Sequence, residues 1–186
     1  LGNGIASGSQ NPSEKYLTDK TYTVRLYVSN TAGCTENISK EYTIWSRPVV
    51  LFANNPKCDK NTISFINNST GKQALASQIW YRGDNTKAIT YNDTHLYASY
   101  GFYSTKLVVT TEKGCKDSLS KTTTVYPNPT AKASVDDSAQ CLTQHTFNMK
   151  DVSTIPWSNL SSKWTLSNGV TSTSKLFKYR FVLDGY

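Results

Sequence analysis

An internal repeat constrains this 186-residue chain more than any other feature of its sequence. The segment from Tyr16 to Pro48 recurs at a constant offset of 81 residues. The matched positions are Tyr16 and Tyr97, Tyr22 and Tyr103, Leu26 and Leu107, Val28 and Val109, Gly33-Cys34 and Gly114-Cys115, and Pro48 and Pro129. A unit of roughly 80 residues is too long for a solenoid repeat and suits a small, self-contained β-sandwich.

A second set of matches continues the repeat at offsets of 82 to 84 residues. It comprises Cys58 and Cys141, Phe65 and Phe147, Ser69-Thr70 and Ser153-Thr154, Trp80 and Trp164, and Gly101 and Gly185. The drift in offset indicates short insertions, which surface loops tolerate well.

The phase of the repeat predicts three segments. Residues 1–47 are expected to be the C-terminal part of one module, residues 48–128 a complete module, and residues 129–186 the N-terminal part of a further module. The chain is therefore expected to be a piece of a longer array. The junctions Trp45–Pro48 and Tyr126–Pro129 are short and contain proline, which predicts semi-rigid spacers and an extended arrangement of modules.

The hydrophobic pattern within a module has a period of two. Tyr22, Val24, Leu26 and Val28 alternate with polar or outward residues, as expected for a strand with one buried face. Turns that carry Gly33 and Gly114 follow this strand and its copy, and glycine supplies the positive φ that such hairpins need. These features predict an all-β fold of tandem, immunoglobulin-like, antiparallel β-sandwiches without helices.

Composition and charge favour an extracellular protein. Hydrophobic residues make up 37% of the chain and charged residues 18%, and Thr, Ser, Asn and Tyr are abundant, as in β-rich secreted proteins. The formal net charge is +7, but the lysines are scattered along the sequence, so we expect solvated strand faces and no nucleic-acid partner. No apolar run is long enough to predict a membrane span.

The motifs of the central module resemble those of the PKD (polycystic kidney disease) domain. The motifs concerned are Trp80-Tyr81-Arg82-Gly83-Asp84-Asn85, His95-Leu96-Tyr97 and Gly101-Phe102-Tyr103. The PKD hallmark is a Trp-Asp-Phe-Gly-Asp-Gly turn followed by His-x-Tyr and Gly-x-Tyr, so Tyr81-Arg82 and Asn85 depart from it. The last module has Trp164-Thr165-Leu166-Ser167-Asn168-Gly169 at this turn, and Tyr179 in place of the histidine.

The resemblance is greatest to cysteine-bearing PKD-like repeats of large Bacteroidetes surface proteins, including gliding adhesins and cargo of the type IX secretion system. It implies structural roles for the motif residues Trp80, Gly83, Asp84, His95, Tyr97, Gly101, Tyr103 and Trp164. Trp80 and Trp164 are expected to anchor the cores, and His95 to fix a turn. Asp84 is expected to bond nearby backbone amides, and it is also a candidate ligand for calcium, the one cofactor considered.

The four cysteines lack the Cys-x-x-Cys spacing of zinc sites. Each module instead carries one cysteine early and one after the hairpin glycine, which predicts one disulfide per module. Cys58 would then pair with Cys115, while Cys34 and Cys141 would have partners outside the chain. The alternative is four unpaired thiols.

The sequence contains no arrangement typical of an enzyme. The only histidines are His95 and His145, and no Ser-His-Asp order, phosphate-binding loop or paired glycosidase carboxylates are present. We therefore expect a non-catalytic spacer and interaction array of a bacterial adhesin or surface filament, with neighbouring repeats, surface polysaccharide or other cells as partners. The alternatives are a carbohydrate-binding or accessory region of a large secreted hydrolase and a eukaryotic receptor ectodomain.

Overall fold

The computed structural model describes residues 1–141 and 146–181, and it contains only β-structure in these ranges. The strands are β1 (Thr21–Ser29), β2 (Thr35–Thr43), β3 (Phe52–Asn54), β4 (Lys57–Cys58), β5 (Ile63–Asn67), β6 (Leu75–Tyr81), β7 (Lys87–Ala88), β8 (Asp93–His95), β9 (Gly101–Thr111), β10 (Lys116–Tyr126), β11 (Ala133–Val135), β12 (Phe147–Asp151), β13 (Trp164–Thr165), β14 (Thr171–Ser172) and β15 (Leu176–Tyr179). The predicted all-β class is confirmed. Within the described ranges, no helix has the length and hydrophobicity to cross a membrane.

The chain forms two compact units. The first contains Leu1–Asn55, Thr62–Leu96 and Phe102–Thr123, and the second contains Pro56–Asn61, Tyr97–Gly101 and Thr124–Tyr186. The module boundaries at residues 47 and 128 stay a prediction.

A long hairpin of β1 and β2 opens the described structure. All nine residues of β1 pair antiparallel with β2, from Thr21 opposite Thr43 to Ser29 opposite Thr35. The connecting turn is closed by Asn30, whose side-chain Oδ1 accepts hydrogen bonds from the backbone amides of Ala32 and Cys34. Gly33 in this turn has φ +84°, as the sequence predicts, because glycine adopts the left-handed region without a steric penalty.

The core of the central module lies between two sheets. One sheet has the order β3-β5-β8, and the other has the order β4-β10-β9-β6-β7. Alternate residues of the strands point inward, so Ile63, Phe65, Leu107 and Val109 are fully buried. Trp80 from one sheet packs against Phe52 of the other, with ring centroids 5.3 Å apart and an edge-to-face angle of 85°. The result is an immunoglobulin-like sandwich.

One pair of strands departs from the antiparallel arrangement. β4 pairs in parallel with the end of β10, with Lys57 opposite Val125 and Cys58 opposite Tyr126. β4 follows β3 closely in the sequence but belongs to the other sheet, where it runs in the same direction as its neighbour. This short edge pairing is a property of the tertiary fold that the hydrophobic pattern does not encode.

The last segment repeats the first half of the central module. β11, β12 and β15 form one sheet, as β3, β5 and β8 do, and β13 pairs with β14 as β6 pairs with β7. The isolated bridge between Val49 and Thr70 also recurs between Thr130 and Thr154. The repeat is therefore a structural repeat as well as a sequence repeat.

The strand register corrects one of the sequence matches. Phe65 lies opposite Asn54 in the central module, and Met149 lies opposite Val135, the equivalent of Asn54. Met149 is buried whereas Phe147 is half-buried, so Met149 takes the place of Phe65, and the sequence match to Phe147 is wrong by two residues. The inserted residues precede β12, in a loop. The other predicted positions His145 and Gly185 lie outside the described residues.

Candidate functional site in the turn between β6 and β7

The hallmark motif forms a tight turn whose shape depends on glycine. The turn is closed by a hydrogen bond from the backbone amide of Arg82 to the carbonyl oxygen of Thr86, at 3.2 Å. Gly83 has φ +88°, and a Cβ atom placed there would lie 2.7 Å from the backbone nitrogen of Ser104. Both its φ and the nearby β9 backbone therefore require glycine at this position.

Asp84 connects this turn to β8. Its Oδ1 accepts hydrogen bonds from the Thr86 amide at 3.1 Å and from the Thr86 hydroxyl at 2.6 Å. Its Oδ2 lies 2.6 Å from Nε2 of His95. His95 is the last residue of β8 and pairs with Ile63 in the sheet. The structure thus brings together two of the residues that the sequence singled out separately.

The environment of Asp84 favours its ionised form. Partial burial works to raise the pKa of its carboxyl group, but the hydrogen bonds from Thr86 and His95 outweigh burial and lower the pKa below its usual value. Both side chains of the Asp84–His95 pair are largely shielded from solvent. The pair therefore fastens the turn to the neighbouring strand.

A second ion pair in the same region was missed by the sequence analysis. Arg82 donates from Nε to Oδ2 of Asp93 and from Nη2 to Oδ1, each at 2.7 Å. The side chains of Arg82 and Asp93 are only 15% and 5% exposed, respectively. This two-pronged geometry is the strong form of an arginine–carboxylate contact. The one signal available was spacing, since Arg82 to Asp93 and Asp84 to His95 both span 11 residues.

The aromatic residues of the motif belong to the core. Trp80 is fully buried and donates its indole N–H to the carbonyl oxygen of Thr90 at 3.0 Å. Trp164 makes the equivalent bond to Ser174 at 2.9 Å but is only half-buried. Tyr97 is buried and Tyr103 is half-buried on β9, the strand that Gly101 begins. These rings are not arranged as a ligand platform.

The turn between β13 and β14 reproduces the architecture with different chemistry. Asn168 takes the place of Asp84, and its Nδ2 donates to the hydroxyl oxygen of Tyr179, at the place of His95, at 2.8 Å. Oδ1 of Asn168 accepts from the amide of Val170 at 3.3 Å, as Asp84 accepts from Thr86. Leu166 and Phe177 stand where Arg82 and Asp93 form their ion pair, as the strand registers show. The contacts recur but the ionisable groups do not, so the turn serves the fold and not a reaction.

The surroundings of Asp84 give no support to the calcium hypothesis. Both of its carboxylate oxygens are already engaged by protein donors. Throughout residues 1–141 and 146–181, no cluster of three or more His, Cys, Asp or Glu side chains could hold a metal ion.

The predicted disulfide is not formed, and all four cysteines are free thiols. Cys58 lies opposite Tyr126, the last residue of β10, whereas Cys115 directly precedes Lys116, the first residue of that strand. An 11-residue strand is about 35 Å long, while bridged cysteines need Cα atoms within about 7 Å of each other. The Sγ of Cys115 instead contacts the carbonyl oxygen of Trp45 at 3.7 Å.

Comparison with known proteins places the central module in a family. Residues 45–126 match the family model of the PKD domain. No curated protein matches the chain. The matched range agrees with the PKD resemblance of the hallmark turn, and PKD domains are typically non-catalytic β-sandwiches.

Three solved structures are similar to the chain. The PKD1 domain of Vibrio anguillarum Epp is 26% identical and covers 44% of this chain and 96% of its own, with a TM-score of 0.41. The PKD1 domain from the Vibrio cholerae metalloprotease PrtV is 26% identical and covers 43% and 98%, with a TM-score of 0.41. A carbohydrate-binding module of the β-sandwich superfamily is 18% identical and covers 56% and 54%, with a TM-score of 0.43.

Proposed function

We propose that this chain is a non-catalytic segment of a secreted or cell-surface bacterial protein, in which PKD-like modules act as spacers and interaction units. The observation that carries the proposal is the fate of the polar groups in the hallmark turn. Arg82 binds Asp93 and Asp84 binds His95, so the groups that could do acid–base chemistry hold strands together. The equivalent turn keeps its contacts through Asn168 and Tyr179 without any ionised group.

The repeat supports an array of such modules. We propose that residues 1–47, 48–128 and 129–186 belong to three consecutive modules joined at the proline-bearing junctions Trp45–Pro48 and Tyr126–Pro129. Short junctions of this kind favour an extended array that carries a distal binding surface outward. An adhesin or surface filament of the Bacteroidetes type, exported for gliding or attachment, is the parent that the sequence resemblance favours.

The test uses the whole 186-residue chain and cells of the source organism. Incubation of the chain with glycan, peptide and ester substrates should give no turnover above that of buffer. Antibodies raised against the chain should label intact cells, and mild proteolysis of those cells should remove the label. Turnover that Asp84→Asn or His95→Ala abolishes would refute the non-catalytic role. Labelling only after cell lysis would refute the surface location.

Carbohydrate binding is a second candidate, supported by one specific observation. Tyr100 and Trp157 expose their rings to solvent and lie edge to face, with centroids 5.0 Å apart. Exposed aromatic rings offer apolar faces against which sugars stack. In affinity electrophoresis, a polysaccharide ligand should retard the chain, and Trp157→Ala should abolish the retardation. Tyr27→Ala, at another exposed ring, should leave it unchanged. Equal migration of all three proteins with and without polysaccharide would exclude this role.

A further inference from the structure

The β1–β2 hairpin exposes an apolar face that its structural equivalent buries completely. Leu26 and Val28 are 59% and 52% exposed, whereas Leu107 and Val109, at the same positions of the repeat, are both 0% exposed. The two hairpins share their alternation and their glycine-bearing turn. The difference therefore lies in what covers the hairpin and not in the hairpin itself.

In the central module, the β9–β10 hairpin is covered by β6 and β3. β9 pairs with β6, which places Leu107 opposite Trp80. β10 contacts β3, where Asn54 donates to the hydroxyl oxygen of Thr123 at 2.8 Å and Lys121 donates to the carbonyl oxygen of Phe52 at 2.6 Å. A hairpin of this kind therefore needs two partners, a strand edge for β9 and an inner sheet face for β10.

Both kinds of partner are present, without a hairpin, in residues 129–181. β11 and β13 are the equivalents of β3 and β6, and among the described residues β13 pairs with β14 alone. The face that Phe52 and Trp80 fill in the central module is open here. It forms a cavity of about 510 Å³ whose walls include Ala131, Ala133, Leu160 and Trp164.

We propose that the β1–β2 hairpin of one copy of this chain inserts into residues 129–181 of a second copy and completes a sandwich module there. β1 then adds to the free edge of β13, so that Leu26 lies opposite Trp164 and Arg25 lies opposite Thr165, as Leu107 and Lys106 lie opposite Trp80 and Tyr81. Addition of a strand to a free edge is an established mode of recognition.

The occupant follows from the repeat. A second copy carries a hairpin with the same apolar positions as the hairpin that fills the central module, so its shape and register suit the open cavity without any rearrangement of β13. The contact is head-to-tail, and each copy keeps one hairpin and one cavity free for further copies. The inference rests on the module boundaries of the proposed function.

Sedimentation velocity of the whole chain over a concentration series tests the proposal. The chain should form dimers and longer oligomers as its concentration rises. Leu26→Asp on the hairpin should weaken association at least tenfold, because it places a charge in the apolar contact. Tyr27→Asp is the matched control, since Tyr27 is also exposed but lies on the other face of the same strand, and it should associate like the unaltered chain.

A mixing experiment identifies the two halves of the contact. Ala133→Asp alters the cavity at an exposed position and should also keep the chain monomeric. Trp164→Asp is a second cavity variant, with the same expected result. A mixture of the Leu26→Asp and Ala133→Asp chains should form one-to-one dimers and no longer oligomers, because each variant retains one competent half.

Three results would overturn the proposal. One is a chain that stays monomeric at all concentrations, and another is equal weakening by Leu26→Asp and Tyr27→Asp. The third is failure of the two variants to form dimers when mixed. None of these results would bear on turnover or surface labelling, so the proposed function and the self-association fail separately.

Discussion

Arg82 and Asp93 form a buried two-pronged ion pair, and the equivalent turn replaces it with the apolar residues Leu166 and Phe177. Both solutions connect the strand before the hallmark turn to the strand that ends the half-module. A buried ion pair is weak evidence for stability, because desolvation of the two charges offsets much of their attraction. The apolar version shows that the site does not depend on charge, but each partner depends on the other.

Removal of one partner of this pair should be costly, and exchange of both should not. Asp93→Ala leaves the Arg82 guanidinium buried without its carboxylate, and we expect it to lower the free energy of unfolding by about 3 kcal/mol. The double variant Arg82→Leu with Asp93→Phe copies the other turn and should recover most of that loss. Urea denaturation measures all three proteins. Asp19→Asn, at an exposed ion pair with Lys72, serves as a control and should change little.

Additive losses in the double variant would contradict the coupling of the two positions. A single Asp93→Ala variant as stable as the unaltered chain would show that Arg82 is satisfied without its partner.

Acid should weaken the turn through Asp84. The pKa of Asp84 is lowered in the folded state, so its ionised form stabilises the native protein above pH ~4, and this contribution is lost as the pH falls below that value. The double variant Asp84→Asn with His95→Tyr copies the Asn168–Tyr179 pair and should remain folded without this contribution. The stability difference between the two proteins, measured by urea denaturation, should therefore shift in favour of the double variant as the pH falls from 6 to 3. A difference independent of pH would count against the role of Asp84.

Substitution of Gly83 should cost more than substitution of a glycine with the same backbone conformation elsewhere. Gly114 has φ +78° and nothing within 4 Å of a Cβ atom placed on it, so Gly114→Ala should cost only the left-handed strain of about 1 kcal/mol. Gly83→Ala adds a clash with the backbone of Ser104, which cannot move without disturbing β9. Thermal unfolding should rank Gly83→Ala clearly below Gly114→Ala, and equal melting temperatures would refute the clash.

The cysteines should behave as thiols in the native protein. Cys34, Cys58 and Cys141 are exposed and should react quickly with an alkylating reagent, whereas the half-buried Cys115 should react more slowly. Addition of a reductant should leave the melting temperature unchanged, because no bridge constrains the unfolded chain. Peptide mapping without reduction is the decisive measurement. A linked peptide pair containing Cys58 and Cys115 would contradict the structure.

Local physical chemistry made much of this fold readable from the sequence. Alternation with a period of two predicted the strands, because side chains of a strand point to opposite faces. The requirement of glycine for positive φ predicted the hairpin turn at Gly33. The repeat predicted that the last segment copies the first half of the central module. Asp84 and His95 were each singled out, although nothing in the sequence stated that they touch.

Only the tertiary structure decided which distant residues meet. The Arg82–Asp93 pair depends on the placement of the hallmark turn beside β8, and the matching of Met149 with Phe65 depends on strand register. The expected bridge between Cys58 and Cys115 failed for the same reason. Sequence spacing does not reveal that β4 joins the far end of β10, because the choice of edge and register is set by the packing of two sheets around a shared core and not by local preference.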